Sequence, residues 1–338
     1  MKFFITSKDM GIDLGTSNTL LYVKGKGVLL REPSVVAINT INRKVLAVGL
    51  EAKKMIGRTP EDIVTIKPLK DGVIANFDVT LQMLKKFIDK VVTSKGTFTR
   101  SRIVVCHPSG ITEVEKRAIN EATSQAGASK VMLFEEPIAA AIGAGLPVNE
   151  PIGSMIVDIG GGTTEVAVIS LGGIVTSQTL RVAGDELDEV IINYIRKEFN
   201  LLIGERTAED IKIELGSVYQ DDDEEEREME VKGRDLMTGL PRVITVTDSE
   251  IRQILKEPVA LVIEAIRTTL ENTEPELASD IMDKGIMLSG GGALLKGLAK
   301  LISIKMNIPV YIAESPLDCV VLGAGKCLDM LDKIKDIK

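Results

Sequence analysis

One pattern occurs twice in this chain at a fixed spacing, and that repetition narrows the folds open to it. MGIDLGTSNTLLYV (Met10–Val23) and MIVDIGGGTTEVAV (Met155–Val168) superpose without a gap. Asp13 falls on Asp158, Gly15 on Gly160, Asn18 on Thr163 and Thr19 on Thr164. Each copy reads as strand, tight turn, strand. Gly160, Gly161 and Gly162 carry no Cβ and can take positive φ, so a bulky anion can approach their backbone N–H groups. The aspartate leaves its strand at the same rim, and Thr163 and Thr164 add hydroxyl donors. A turn of this kind suits phosphate oxygens with a carboxylate beside them for a metal. Two copies, Asp13 to Asp158 marking the offset of 145 residues, imply an internal duplication with two similar halves facing one cleft.

The 338 residues suffice for about two domains with proper cores. Aromatic residues make up 3% with no Trp, so those cores must be built from Ile, Val, Leu and Ala. A net charge of −8 argues against a general nucleic-acid-binding surface. Cys106, Cys319 and Cys327 show no metal-ligand spacing, and Cys106 and Cys319, in apolar surroundings, read as reduced core thiols, which fits a cytosolic setting. No apolar run approaches the roughly 20 residues of a spanning helix or the ~7–15 of a signal peptide. The short patch at Phe3 and Phe4 reads as a strand extension, or as a small membrane foot beside Lys2 and Lys8.

Along the chain, residues 34–69 look like a small inserted block of short strands. Met83, Leu84, Phe87, Ile88 and Val91 share one face of a helix over Asp78–Ser94. The basic loop 95–102 around Phe98 reads as solvated, or as a contact for anionic lipid. His107 has no partner cluster and is assigned no chemistry. Thr112 and Glu115 form a capping box for a helix to Ala126, with Val114, Ala118, Ile119 and Ala122 inward. Glu135 and Glu136 stand where the strand Val131–Phe134 meets the helix PIAAAIGAG, a place for a catalytic group or merely for good capping. Thr207 and Asp210 suggest a cap for the helix TAEDIKIELGS, and the acidic run Asp221–Glu230 a solvated loop. Strands follow at Glu228–Lys232 and Arg242–Thr247, and two helical stretches lie between Ser249 and Asn272, broken at Pro258. Ile286–Ser289 is a strand opening onto Gly290, Gly291 and Gly292 and then a helix through Ala293, a third turn suited to a ligand ring or phosphate. Strands alternating with helices indicate an α/β protein.

Two aspartates beside a polyphosphate repel it by roughly 4 kcal/mol per charge pair at ~4 Å, so a divalent cation belongs between them. Magnesium, which keeps most of its waters, suits Asp13 and Asp158. Glu136 is the best-placed candidate to orient or deprotonate a water, with Thr163 as a second hydrogen-bonding partner.

DLGTSNT, EEPIAAAIG, DIGGGTTEVAV, GERTAEDIK and SGGGALL, in that order and spacing, resemble the MreB family of bacterial actins over Lys8–Asp332. The resemblance implies the actin-like fold of the actin, chaperone and sugar-kinase superfamily: two duplicated α/β domains, each with a smaller subdomain, closing on ATP and Mg2+. It divides the chain into 1–33, 70–150 and 315–338 (subdomain IA), 34–69 (IB), 151–184 and 246–314 (IIA) and 185–245 (IIB). By that likeness Gly15, Thr16, Ser17 and Asn18 hold phosphate, as do Gly160, Gly161 and Gly162. Glu209, Asp210, Ile211 and Lys212, with Gly290, Gly291, Gly292 and Ala293, flank the nucleoside. Asp13 and Asp158 hold the metal, and Glu136 and Thr163 poise the attacking water. The family implies a weak ATPase that polymerises into paired filaments at the inner face of the cytoplasmic membrane and guides the cell-wall elongation machinery and rod shape. Two departures stand out: an N-terminus shorter than the amphipathic helix of some members, which shifts membrane contact to Phe98 and Phe3–Ile5, and an unusually acidic Asp221–Glu226. A small-molecule kinase of the superfamily would need an acceptor pocket with an aspartate base, for which no second acidic motif fits. A chaperone ATPase like the seventy-kilodalton heat-shock proteins would be expected to continue past Lys338 into a peptide-binding domain.

Overall fold

A computed structural model describes residues 9–92, 101–220 and 225–335. The first half opens with β1 (Met10–Leu14), β2 (Asn18–Val23) and β3 (Gly27–Pro33), an antiparallel meander. The inserted block follows as β4 (Val36–Asn39), β5 (Val45–Val48), α1 (Leu50–Lys53) and β6 (Ile63–Ile66). A tight hairpin, β7 (Leu69–Lys70) and β8 (Val73–Ile74), leads into α2 (Phe77–Val91), capped by Asn76. Then come β9 (Arg102–His107), α3 (Glu113–Gln125), β10 (Lys130–Glu135) and α4 (Glu136–Ala144).

The second half repeats the meander in β11 (Ser154–Ile159), β12 (Thr164–Ser170) and β13 (Gly173–Leu180). Next are α5 (Gly184–Phe199), β14 (Leu201–Leu202), α6 (Glu205–Leu215), β15 (Glu228–Asp235) and β16 (Pro241–Thr247). The chain continues through α7 (Asp248–Glu271), α8 (Pro275–Lys284), β17 (Ile286–Ser289), α9 (Leu298–Met306), β18 (Val310–Ile312) and α10 (Cys319–Lys335).

The duplication extends to pairing. One five-stranded sheet runs β10-β9-β1-β2-β3 and the other β18-β17-β11-β12-β13, the same order around each glycine-rich hairpin. Asp13 lies opposite Leu20, and Asp158 opposite Glu165, positions that correspond in the two copies. β1 and β11 are buried nearly throughout because helices cover both faces, and so both read as unbroken apolar runs. α4 and α10 pack between the sheets, where Val104 and Cys106 of β9 share a core with Ile156, Ala167 and Ile169 of β11 and β12. Their backbones touch: a Cβ on Gly143 would meet the Cys319 carbonyl oxygen at 1.8 Å, and one on Gly323 the Ala139 carbonyl oxygen at 1.9 Å. Among the described residues two three-stranded sheets, β5-β4-β6 and β14-β15-β16, and the two-stranded β7-β8 accompany the two larger sheets.

Several local expectations are corrected. Val114 is 75% exposed, because it lies roughly 140° around α3 from buried Ile119; the Thr112–Glu115 capping box itself is present. α6 begins at Glu205 behind Gly204, so Thr207 lies inside the helix and caps nothing. α7 runs through Pro258 unbroken: losing one N–H there costs ~3 kcal/mol, and burial of Ile251, Leu255, Val259, Val262 and Ile266 outweighs it. Gly290 is followed by a single 3-10 turn, Gly291–Leu294, in place of the expected helix. Of the acidic run, Asp221–Glu224 lie outside the described residues; Glu225 and Glu226 are exposed and Glu228 already belongs to β15. The three cysteines are buried free thiols.

Candidate functional site

The two glycine-rich turns meet face to face. A Cβ on Gly161 would lie 2.0 Å from Ser17 Oγ, and one on Gly162 2.6 Å from Thr16 Oγ1. Gly15, Gly160, Gly161 and Gly162 are not among the glycines with positive φ. Their value here is the missing side chain, which lets one turn approach the other, rather than the left-handed backbone the sequence suggested. The Gly160 N–H donates to the Thr163 carbonyl at 2.9 Å and closes the second turn. The Gly72 N–H donates to Thr16 Oγ1 at 2.9 Å, so the β7–β8 hairpin roofs the first turn. The Ser17 hydroxyl reaches Asp185 Oδ1, at the start of α5, at 3.4 Å, and Asn18 is exposed at the rim.

Three acids converge where β1, β11 and α4 meet. Asp13 is pushed up to about 8, by burial first and then by the neighbouring carboxylates of Asp158 and Asp318. Glu136 is raised well above the usual carboxyl range by burial, then by Asp13, Glu165 and Asp158. Burial raises Asp158 as well, opposed by the Ser289 hydroxyl, which donates to its Oδ1 at 2.7 Å. Glu165 is also raised, by burial, against the hydrogen bonds of Ser109 and Thr179. Among the described residues no group of three or more His, Cys, Asp or Glu forms a metal cage. The uncompensated acids fit a magnesium ion that takes one or two carboxylates and completes its shell with water and phosphate.

On α6, Glu209 and Lys212 share one side. Glu209 pairs across the cleft with Lys53 at 2.6 Å, and Lys212 donates to the Gly184 carbonyl and pairs with Asp188, both at 2.8 Å. Ile211 faces the opposite way and is fully buried, while Asp210 is exposed to solvent. Gly290 adopts φ 79°, and a Cβ on Gly290 or Gly292 would strike Ile159 at 2.3 or 2.2 Å. These two glycines let the turn seat on the end of β11; Ala293 is buried beneath it, and Gly291 has room. Thr163 is nearly buried beside Gly72.

Ser289, Lys53, Lys67 and Glu165 also stand at the site, although none is a candidate from the sequence. Ser289 ends its strand as the first residue of SGGG, immediately before the three glycines, a readable position. Glu165 corresponds to Leu20 in the first copy, and that polar-for-apolar exchange was its only signal. Phe3, Phe4 and Phe98 lie outside the described residues. Among the described residues no helix is long and apolar enough to cross a membrane.

A family model described as MreB/Mbl protein matches residues 7–336. The chain is 53% identical to the cell shape-determining protein Mbl of Bacillus subtilis (strain 168), covering 97% of this chain and 98% of that protein. It is 54% identical to the cell shape-determining protein MreB of Escherichia coli (strain K12), over 96% and 94% of the two chains. Among solved structures, MreB5 of Spiroplasma citri bound to AMPPNP superposes with a TM-score of 0.93 at 39% identity, covering 98% of each chain. The MamK double helical filament, at 23% identity and a TM-score of 0.81 over 96% of this chain and 99% of that one, shares the actin-like fold.

Proposed function

The chain belongs to the MreB/Mbl family of actin-like cell shape-determining proteins, and from that footing we propose that it is a weak ATPase that assembles on ATP into membrane-associated filaments. The observation that carries the reading is the apposition of two glycine-rich turns in one shared register, with Asp13, Asp158 and Glu136 gathered at their rims. The AMPPNP and ADP complexes of the similar Spiroplasma citri protein support a nucleotide in this cleft.

In this reading Gly160 closes its turn through Thr163 while the N–H groups of Gly161 and Gly162, with those of Gly15–Asn18, grip the phosphates from opposite sides, and the Thr16 and Ser17 hydroxyls orient them. Glu209 and Lys212 of α6 and the Gly290–Ala293 turn border the nucleoside. Magnesium held by Asp13 and Asp158 would neutralise phosphate charge as the terminal phosphoryl group departs. Glu136, at the first turn of a helix whose apolar packing keeps its side chain buried, holds a water and accepts its proton. Thr163 shares that water from the second half.

The division into subdomains IA, IB, IIA and IIB along the ranges given above is part of the same proposal. So are self-association into paired protofilaments, a peripheral position at the inner face of the cytoplasmic membrane, and guidance of the cell-wall elongation machinery. Electron microscopy of the purified protein on an anionic lipid monolayer, with and without MgATP, tests it. Ordered filaments appearing only with nucleotide are expected. Phosphate release without any ordered polymer would favour a kinase or chaperone relative instead.

A further inference from the structure

Glu165 is a buried acid that the mechanism above leaves idle. It is 1% exposed, although the corresponding residue of the first hairpin is Leu20, so the hairpin itself needs no carboxylate there. Its Oε2 accepts from the Ser109 N–H at 2.9 Å and from the Ser109 hydroxyl at 2.5 Å. Thr179 of neighbouring β13 donates to the Ser109 carbonyl at 3.1 Å. Its other oxygen, Oε1, is buried without a hydrogen-bond partner. Burying a carboxyl group with one oxygen unpaired costs free energy that the packing of the hairpin does not call for.

The two ends of this contact lie in different halves. Ser109 follows β9, whose last residue, His107, pairs with Glu135, immediately before Glu136. Glu165 sits two residues beyond Thr163 and directly opposite Asp158. Pro108, next to Ser109, packs with Thr163 around Gly72, where an added Cβ would meet them at 2.5 and 3.3 Å. A short path of bonded and packed groups therefore runs from Glu136 through the His107–Ser109 turn to Glu165 and Thr163.

We infer that Glu165 is a positioning residue for hydrolysis: by holding Ser109 of the first half, it fixes Glu136 in place against Thr163 of the second. The inference rests on the ATPase reading and adds to it a residue that touches neither nucleotide nor metal. A misplacement of about 1 Å between two groups that share a water is enough to cost a large factor in rate.

Full-length protein with MgATP is assayed for phosphate release, with the sedimented fraction measured in the same samples so that lost assembly is told apart from lost turnover. Glu165→Ala is expected to lower kcat roughly 10- to 100-fold while KM for ATP stays within about threefold. Glu165→Gln, whose amide oxygen still accepts from Ser109, is expected to keep most of kcat. Ser109→Ala is expected to lose about three- to tenfold alone, and nothing more when added to Glu165→Ala. Wild-type kcat in Glu165→Ala, losses that multiply in the double variant, or a Gln variant as slow as Ala would each overturn the inference. If Glu165→Ala does not fold, unchanged kcat in Ser109→Ala overturns it equally. A wild type that binds ATP but releases no phosphate would instead remove the ATPase reading, and this inference with it.

Discussion

Asp13, Glu136 and Asp158 all lie above the ordinary carboxyl range: burial raises each of them, neighbouring carboxylates add to it at Asp13 and Glu136, and the Ser289 hydrogen bond opposes it at Asp158. Of the three, Glu136 is the one free to work on a water if the aspartates attend to the metal. Glu136→Ala should therefore slow phosphate release by roughly 10²-fold and leave nucleotide affinity nearly unchanged; single-turnover release with a parallel binding titration reads both, and an unaltered rate would strip the residue of this role. In the small sheet β14-β15-β16, Asp235 behaves in the opposite way. The Thr238 N–H, the Arg242 guanidinium and the Met237 N–H hold its carboxyl down at about 2. An unfolded aspartate titrates near 4, so the stabilisation from Asp235 is complete above about pH 4 and is lost as pH falls toward 2. Asp235→Asn should flatten that part of the acid-unfolding curve, followed by circular dichroism; a curve as steep as wild type would mean the interaction contributes nothing.

Between elements, the contact of α4 with α10 is the most demanding in the fold, since Gly143 and Gly323 each abut a carbonyl oxygen of the other helix. Gly143→Ala should force the pair apart and cost about 1–3 kcal/mol in urea unfolding, and a neutral substitution would show that the helices can slide. Elements with strong periodicity were legible in the chain. Met83, Leu84, Phe87, Ile88 and Val91, the face expected of α2, are all buried, and the capping box of α3 is formed. Pro258 misled because proline's local penalty is visible in the sequence whereas the buried stripe that overcomes it is a tertiary fact. α8 was missed because only Ile281 of its ten residues is fully buried, which leaves little apolar signal. The same division holds at the cleft. Asp13, Glu136 and the glycine turns belong to contiguous motifs, while the Ser109–Glu165 contact joins residues 56 apart whose relation only the folded chain discloses.

Across the whole molecule, the cleft is spanned by charge. Lys53 pairs with Glu209 at 2.6 Å, and Lys67 with Glu205 at 2.9 Å and Asp185 at 3.6 Å. Half-exposed pairs of this kind contribute about 0–1 kcal/mol each and are screened by salt. Raising ionic strength should speed release of a fluorescent nucleotide a few-fold, on the order of 1 kcal/mol, and a Lys53→Ala/Lys67→Ala variant should release faster and respond less; stopped-flow traces insensitive to salt would count against these pairs as a closure. The sandwiching of α4 and α10 between the two large sheets has a mechanical meaning as well. With backbone pressed against backbone there, the helix pair can serve as a fulcrum and the small sheets as the tips of its levers. A swing of a few degrees at that pivot would become a displacement of whole side chains at the tips.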